Sequence, residues 1–167
     1  MKKLLENYAF IDSQNLNLGV RRLGWKLDYG KFRIYLKEKY GVVKAYMFIG
    51  YLEKNSNLYK SLQEKGFILI FKPVLENKKG EVKGNVDADL VMQAMLDYKK
   101  YKQAIIVTSD GDFYCLVKYL YKNKKLCTVL STHGKTCSYL LKITAKDKLR
   151  FLMNAKNKLE YKKRGTS

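Results

Sequence analysis

The chain has 167 residues and carries 34 Lys and Arg against 15 Asp and Glu, a formal charge of +19 with a pI near 9.7. That length favours one domain with a sizeable core, while 47% hydrophobic content and a single proline, Pro73, argue against disorder. The charge points to an anionic partner, nucleic acid first, because a polyphosphate rewards clustered Lys and Arg through counterion release.

One histidine, His133, excludes catalysis by a histidine pair and argues against a His-rich zinc site. Cys115, Cys127 and Cys137 are odd in number and lack C-x-x-C spacing. They read as reduced, mostly buried thiols of a cytoplasmic protein. Lys2-Lys3 precedes only Leu4-Leu5, far short of a secretory apolar region, and no apolar run approaches bilayer length, so no membrane partner is expected.

In chain order, short apolar runs alternate with helix-period segments, the pattern of an α/β fold with a mainly parallel sheet. Strands are predicted at Tyr8–Asp12, Ala45–Ile49, Phe67–Phe71, Ala104–Thr108 and Leu126–Leu130, with a last one at Arg150–Met153. Helices are predicted over Leu27–Tyr40, with Phe32, Leu36 and Tyr40 on one stripe, and over Asn57–Lys65, capped by Asn55 or Ser56. Further helices are predicted over Val86–Lys102, Phe113–Asn123 and Cys137–Ala145, and Asn154 is expected to cap a closing helix to Lys162. Pro73–Asn85 reads as the longest irregular loop. The whole is expected to form one domain over residues 1–162, with a basic tail at 163–167 that frays.

Within this basic chain, carboxylates gather at particular places. Asp12 ends the run Tyr8-Ala9-Phe10-Ile11, and Asp110 and Asp112 follow Ala104–Ser109 across Gly111. A crossover back beside the first strand would put the first and fourth runs together and place Asp12 and Asp110 on opposite lips of the crevice where strand order reverses. Two unit charges about 4 Å apart, at an effective dielectric near 20, repel by roughly 4 kcal/mol. A hard divalent cation, Mg²⁺ or Mn²⁺, with its preference for oxygen ligands, would remove that repulsion. Asp87 precedes Leu90, Val91 and Ala94 by three, four and seven positions, which puts it on their inward helix face. Asp89 points elsewhere and reads as a first-turn acid favoured by the helix dipole, or as a residue flanking the site.

Each motif also has a structural reading. Asp12 would cap the following turn, Asp112 would be the N-cap of the helix from Phe113, and Ser109 would contact metal or phosphate or satisfy its own loop. Asn15 is placed to orient a phosphate or a water. Lys78, Lys79, Lys83, Arg21 and Arg22 are candidate phosphate guides, and Tyr114 and Trp25 are candidate stacking platforms for bases. The first strand lacks the D-x-D of haloacid dehalogenase phosphatases, and the phosphate loop of NTPases is absent from the chain.

Phe10–Asn15, Lys83–Leu90 and Thr108–Phe113 together resemble the signature blocks of the NYN domain, in particular its bacterial LabA-like branch, within the PIN-like superfamily of metal-dependent nucleases. Lys83-Gly84-Asn85-Val86-Asp87 is the most specific block. The branch often has Ser-Gly-Asp where this chain has Thr108-Ser109-Asp110. The resemblance runs from about Tyr8 to Lys162 and implies a three-layer α/β/α sandwich with a mainly parallel sheet. It also implies RNA cleavage with Mg²⁺ or Mn²⁺ held by Asp12, Asp87 and Asp110, aided by Asn15 and Asp112, in a domain that often forms homodimers. The alternative is a nucleic-acid-binding regulatory module with the same basic surface and a vestigial site.

Overall fold

The computed structural model describes residues 5–76, 78–79, 82–83 and 85–165. Its spine is a six-stranded sheet built from β1 (Asn7–Asp12), β2 (Val42–Tyr51), β3 (Phe67–Pro73), β6 (Ala104–Val107), β7 (Leu126–Ser131) and β8 (Leu149–Phe151). The strands run in the order β3-β2-β1-β6-β7-β8, and every neighbouring pair is parallel. Successive side chains of a strand face opposite ways, so the central strands feed two cores. Tyr8, Phe10 and Ile106 belong to one core and Ala9, Ile11 and Ile105 to the other. Runs that are buried on both faces read as continuous apolar stretches, which is why β1 and β6 stand out in the sequence.

The first core is covered by α4 (Asp87–Leu96), α5 (Tyr114–Lys122) and α6 (Tyr139–Ala145), which contribute Leu90, Leu116 and Leu141. The second is covered by α1 (Ser13–Arg22), α2 (Tyr29–Tyr40), α3 (Ser56–Glu64) and the short α7 (Lys156–Leu159), which contribute Leu16, Phe32, Leu62 and Leu159. This is a three-layer α/β/α sandwich. The strand order reverses between β1 and β6, so the crevice above their carboxyl ends is the expected ligand position of a doubly wound sheet.

Local chemistry explains most boundaries. Asp28 caps α2 by accepting from the Lys31 N–H at 3.0 Å, and Gly41, at φ 64°, ends the helix in the left-handed region where glycine is unstrained. Several expectations are corrected. The sequence predicts no element over Ser13–Arg22, yet α1 forms there, with only Leu16 and Val20 as buried apolar residues. The helix from Val86 ends at Leu96 instead of Lys102, because Asp97 turns inward to accept from Tyr46 Oη at 2.8 Å and Gln93 Nε2 at 3.0 Å. Pro73–Asn85 is not irregular throughout, since β4 (Leu75–Glu76) and β5 (Val82–Lys83) pair as an antiparallel hairpin.

The closing helix is cut short. A 3₁₀ turn, Leu152–Ala155, precedes α7, Asn154 caps neither, and the chain then straightens to bridge Glu160 to Leu27. Asn55 makes no side-chain cap bond to α3. Cys115 is exposed, while Cys127 is half-buried and Cys137 buried. Among the described residues, no helix is long and apolar enough to cross a membrane.

Candidate functional site

Three elements deliver the acidic residues. Asp12 is the last residue of β1, Asp110 follows β6 after two loop residues, and Asp87 opens α4. Pairing of Ile11 with Val107 brings the first two strand ends level. One carboxylate oxygen from each of Asp12, Asp87 and Asp110 lies within 4.8 Å of the others. They surround a hollow of about 220 Å³ that is also lined by Gln14, Asn15, Asn85 and Val86.

Each carboxylate is held in place. Asp12 Oδ1 accepts from the Asn15 N–H at 3.3 Å as the N-cap of α1, and its Oδ2 accepts from Thr108 Oγ1 at 3.4 Å. Asp110 Oδ1 accepts from the Asp112 N–H at 2.9 Å, while the Asp110 N–H donates to Thr108 Oγ1 at 3.1 Å. Thr108 therefore links the Asp12 carboxylate to the backbone of Asp110. Asn85 Oδ1 accepts from the Asp87 N–H at 2.8 Å and ties the approach to α4.

Asn15 acts as a strut, because its Oδ1 accepts from the Ser109 N–H at 2.8 Å and joins α1 to the β6 loop. Ser109 turns away from the carboxylates. Its Oγ lies 2.7 Å from Ser131 Oγ and 3.3 Å from Thr132 Oγ1 at the end of β7, so its hydroxyl satisfies the loop and does not face the hollow.

Electrostatics follow from this crowding. The Asp12 carboxyl is raised from 3.8 to about 6, chiefly by burial and also by Asp87 and Asp110, while the Asn15 N–H and the Thr108 hydroxyl hold it down. Asp87 is also raised, first by burial and then by Asp110, with Asp112 adding and Lys72 opposing. A cation removes this repulsion directly. The donor set is all oxygen and two of its three residues are only half-buried, which fits a hard divalent ion that keeps some of its ligands outside the protein.

The other predicted residues divide. Asp112 is exposed within the 3₁₀ turn Gly111–Phe113 and does not cap α5, whose N-cap Phe113 has no side-chain cap bond, while Asp110 caps the 3₁₀ turn that leads into it. Asp89 points away and lies 3.6 Å from Lys72 Nζ. Arg22 is exposed at the end of α1, and Lys78 and Lys79 are exposed at the hairpin turn. The side chain of Lys83 and the whole of Gly84 lie outside the described residues.

Tyr114 is exposed at the start of α5, as a stacking platform must be. Trp25 is not, since only 5% of its surface is exposed and it packs in the second core. Sequence reasoning missed Lys72, whose ammonium donates to the Asn85 carbonyl beside Asp87. Its place within β3 carries no local signal. It also missed the linking role of Thr108, although a hydroxyl residue between a buried strand and an aspartate was there to be read.

Comparison with known proteins places this geometry. No curated protein matches the chain. A protein of unknown function from Vibrio parahaemolyticus superposes with a TM-score of 0.78 over 96% of this chain and 99% of that one, at 22% identity, which establishes a shared fold. A PLP-bound protein described as an aminotransferase, from Clostridium difficile, reaches a TM-score of only 0.29 at 13% identity, over 72% of this chain and 34% of that one, too low for a common fold. The family model of the NYN domain matches residues 8–149, from β1 to the first residue of β8 and across all three acidic positions. The chain belongs to the NYN domain family, a family of PIN-like nucleases.

Proposed function

We propose that the protein is a Mg²⁺- or Mn²⁺-dependent ribonuclease, a single-domain member of the LabA-like branch that hydrolyses phosphodiester bonds in the cytoplasm. The observation that carries this reading is the meeting of Asp12, Asp87 and Asp110, from three separate elements, within 4.8 Å in a chain of charge +19. Asp12, Asp87 and Asp110 would hold the ion. When bound, such an ion lowers the pKa of a water and stabilises charge on phosphoryl oxygens.

The chain's own residues set the geometry. Thr108 and the Asn15 strut fix the two strand ends, so the carboxylates meet without reorganisation. Asp112, exposed beside the cluster, would orient the attacking water or support a second ion. Arg21, Arg22, Lys78, Lys79 and Lys83 would draw the phosphate backbone toward the hollow, and Tyr114 would stack on a base. RNA is preferred to DNA on the character of the LabA-like branch, and a homodimer would join two basic surfaces.

The test is cleavage of end-labelled single-stranded RNA and DNA with Mn²⁺, Mg²⁺ or EDTA, beside an Asp110→Asn variant purified identically. Metal-dependent cleavage of RNA is expected, falling on the order of a hundredfold or more in the variant because a ligand of the ion is lost. RNA bound but never cut would mean a binding module, and equal cleavage by both proteins would mean the site lies elsewhere.

A further inference from the structure

A second hollow of about 600 Å³ adjoins the acidic one, and Gln14 and Val86 line both. It is far larger than a metal centre requires and falls within the range of sites that enclose small organic groups. One wall is the face of α1 that presents Asn17 and Arg21, one turn apart. The facing wall is the stripe of α3 that carries Leu58 and Ser61, continued by Lys65 at its carboxyl end. Leu27 and Leu62, both buried and part of the second core, form an apolar floor.

The rim is cationic. Arg21, Lys26 and Lys65 line it, and among the described residues none of them forms an ion pair with a carboxylate. Arg21 Nε donates to Asn17 Oδ1 at 3.4 Å, Lys65 Nζ donates to Ser61 Oγ at 2.5 Å, and Lys26 Nζ lies 4.9 Å over the Tyr161 ring. The single carboxylate among the described lining residues, Asp28, is turned to the Lys31 N–H as the cap of α2.

We infer that this cleft receives one nucleotide of the strand next to the scissile phosphate, with its base on the apolar floor and its phosphate toward Arg21 and Lys65. The inference rests on the nuclease reading of the adjoining carboxylates. An acidic peptide would use the cations and leave the floor bare, and an apolar ligand would do the reverse. A nucleotide uses both, and the shared wall at Gln14 and Val86 sets it one step from the acidic hollow. A base seated there has left its stack, so the cleft selects single-stranded substrate.

The test has two arms. The first titrates ¹⁵N-labelled protein with adenosine 5′-monophosphate, and separately with inorganic phosphate, in wild type, Leu58→Trp and Lys65→Gln. Leu58 is 44% exposed, so a tryptophan there fills the cleft without entering the core. The nucleotide is expected to move the amides of Leu27, Gly50 and Leu58–Lys65, whereas phosphate leaves Gly50 and Leu58 still. Affinity for the nucleotide should fall about tenfold in Leu58→Trp, the loss of one base contact, and to a lesser degree in Lys65→Gln. No response, a response confined to Asp12, Asp87 and Asp110, or unchanged affinity in both variants would overturn the inference.

The second arm measures RNA cleavage by the same proteins, with about a tenfold loss expected in Leu58→Trp. Wild-type cleavage with no nucleotide response in the cleft would remove the subsite and leave the nuclease. A nucleotide-filled cleft in a protein that cuts no RNA would overturn the nuclease reading and, with it, the placement beside a scissile phosphate.

Discussion

Asp12 ends β1 with 5% of its surface exposed, and burial beside Asp87 and Asp110 raises its carboxyl from 3.8 to about 6. Between those values the folded protein holds a proton that the unfolded chain has released. Metal-free stability should therefore fall as pH rises from about 4 to 6 and level off above, by about 3 kcal/mol at most for this group. Asp87 is shifted in the same direction and adds to the effect. Asp12→Asn keeps an oxygen for the Asn15 N–H and removes the charge. In EDTA it should melt several degrees above wild type at pH 7.5 and level with it at pH 4, as thermal unfolding would show. Mn²⁺ should reverse that order at pH 7.5, because only wild type retains the full ligand set. The rise in melting temperature that Mn²⁺ produces in wild type should shrink at pH 5, where protons compete for Asp12, and an equal rise at both pH values would place the ion elsewhere.

Among the elements, the turn Gly111–Phe113 lies close against the start of α6. A Cβ on Gly111 would stand 2.3 Å from Ser138 Oγ and 3.0 Å from its Cβ, so the approach of this turn to the start of α6 requires glycine. Gly111→Ala should destabilise the protein by about 1–3 kcal/mol through overpacking and displace Asp110. Urea unfolding and RNA cleavage should both register the loss, and Ser138→Gly in the same chain should recover part of it by opening the space. The strut between α1 and the β6 loop gives a second test. Asn15→Ala leaves the Ser109 N–H without its acceptor, at about 1–3 kcal/mol, and should lower cleavage more than it lowers RNA binding. The Asn15–Ser109 contact joins residues 94 positions apart, and the Gly111–Ser138 approach spans 27. The strand runs that set them up were legible as apolar stretches, whereas α1, with two buried apolar residues and a polar first turn, left too thin a stripe to read.

At the scale of the whole molecule, an excess of cations surrounds one acidic centre. RNA affinity should therefore fall steeply with salt, at least about tenfold between 50 and 200 mM. Replacing Arg22 and Lys78 together by Gln should make the log–log salt slope shallower by about 1–2 if both meet phosphates, as filter binding across a salt series would measure. An unchanged slope would assign both residues to solvated surface. The order β3-β2-β1-β6-β7-β8 turns a scatter of aspartates along the chain into a centre, because it makes β1 and β6 neighbours. The 600 Å³ cleft opens beside that centre, over the end of β2, and shares Gln14 and Val86 with it.

The sequence by itself determined the α/β class, five strand runs of the sheet, the family blocks, and the three aspartates that meet. Those features rest on local periodicity and on residue types at strand and helix ends, which a chain displays without folding. Tertiary structure alone decided what the neighbours of those residues do. It made Asp110 the cap of the 3₁₀ turn before α5, turned Ser109 toward Ser131, buried Trp25, brought Lys72 to Asp87, and joined α1, α3 and the end of β2 around a cleft. Each of those outcomes depends on contacts between segments distant in sequence, where packing chooses among several partners that local chemistry leaves equivalent.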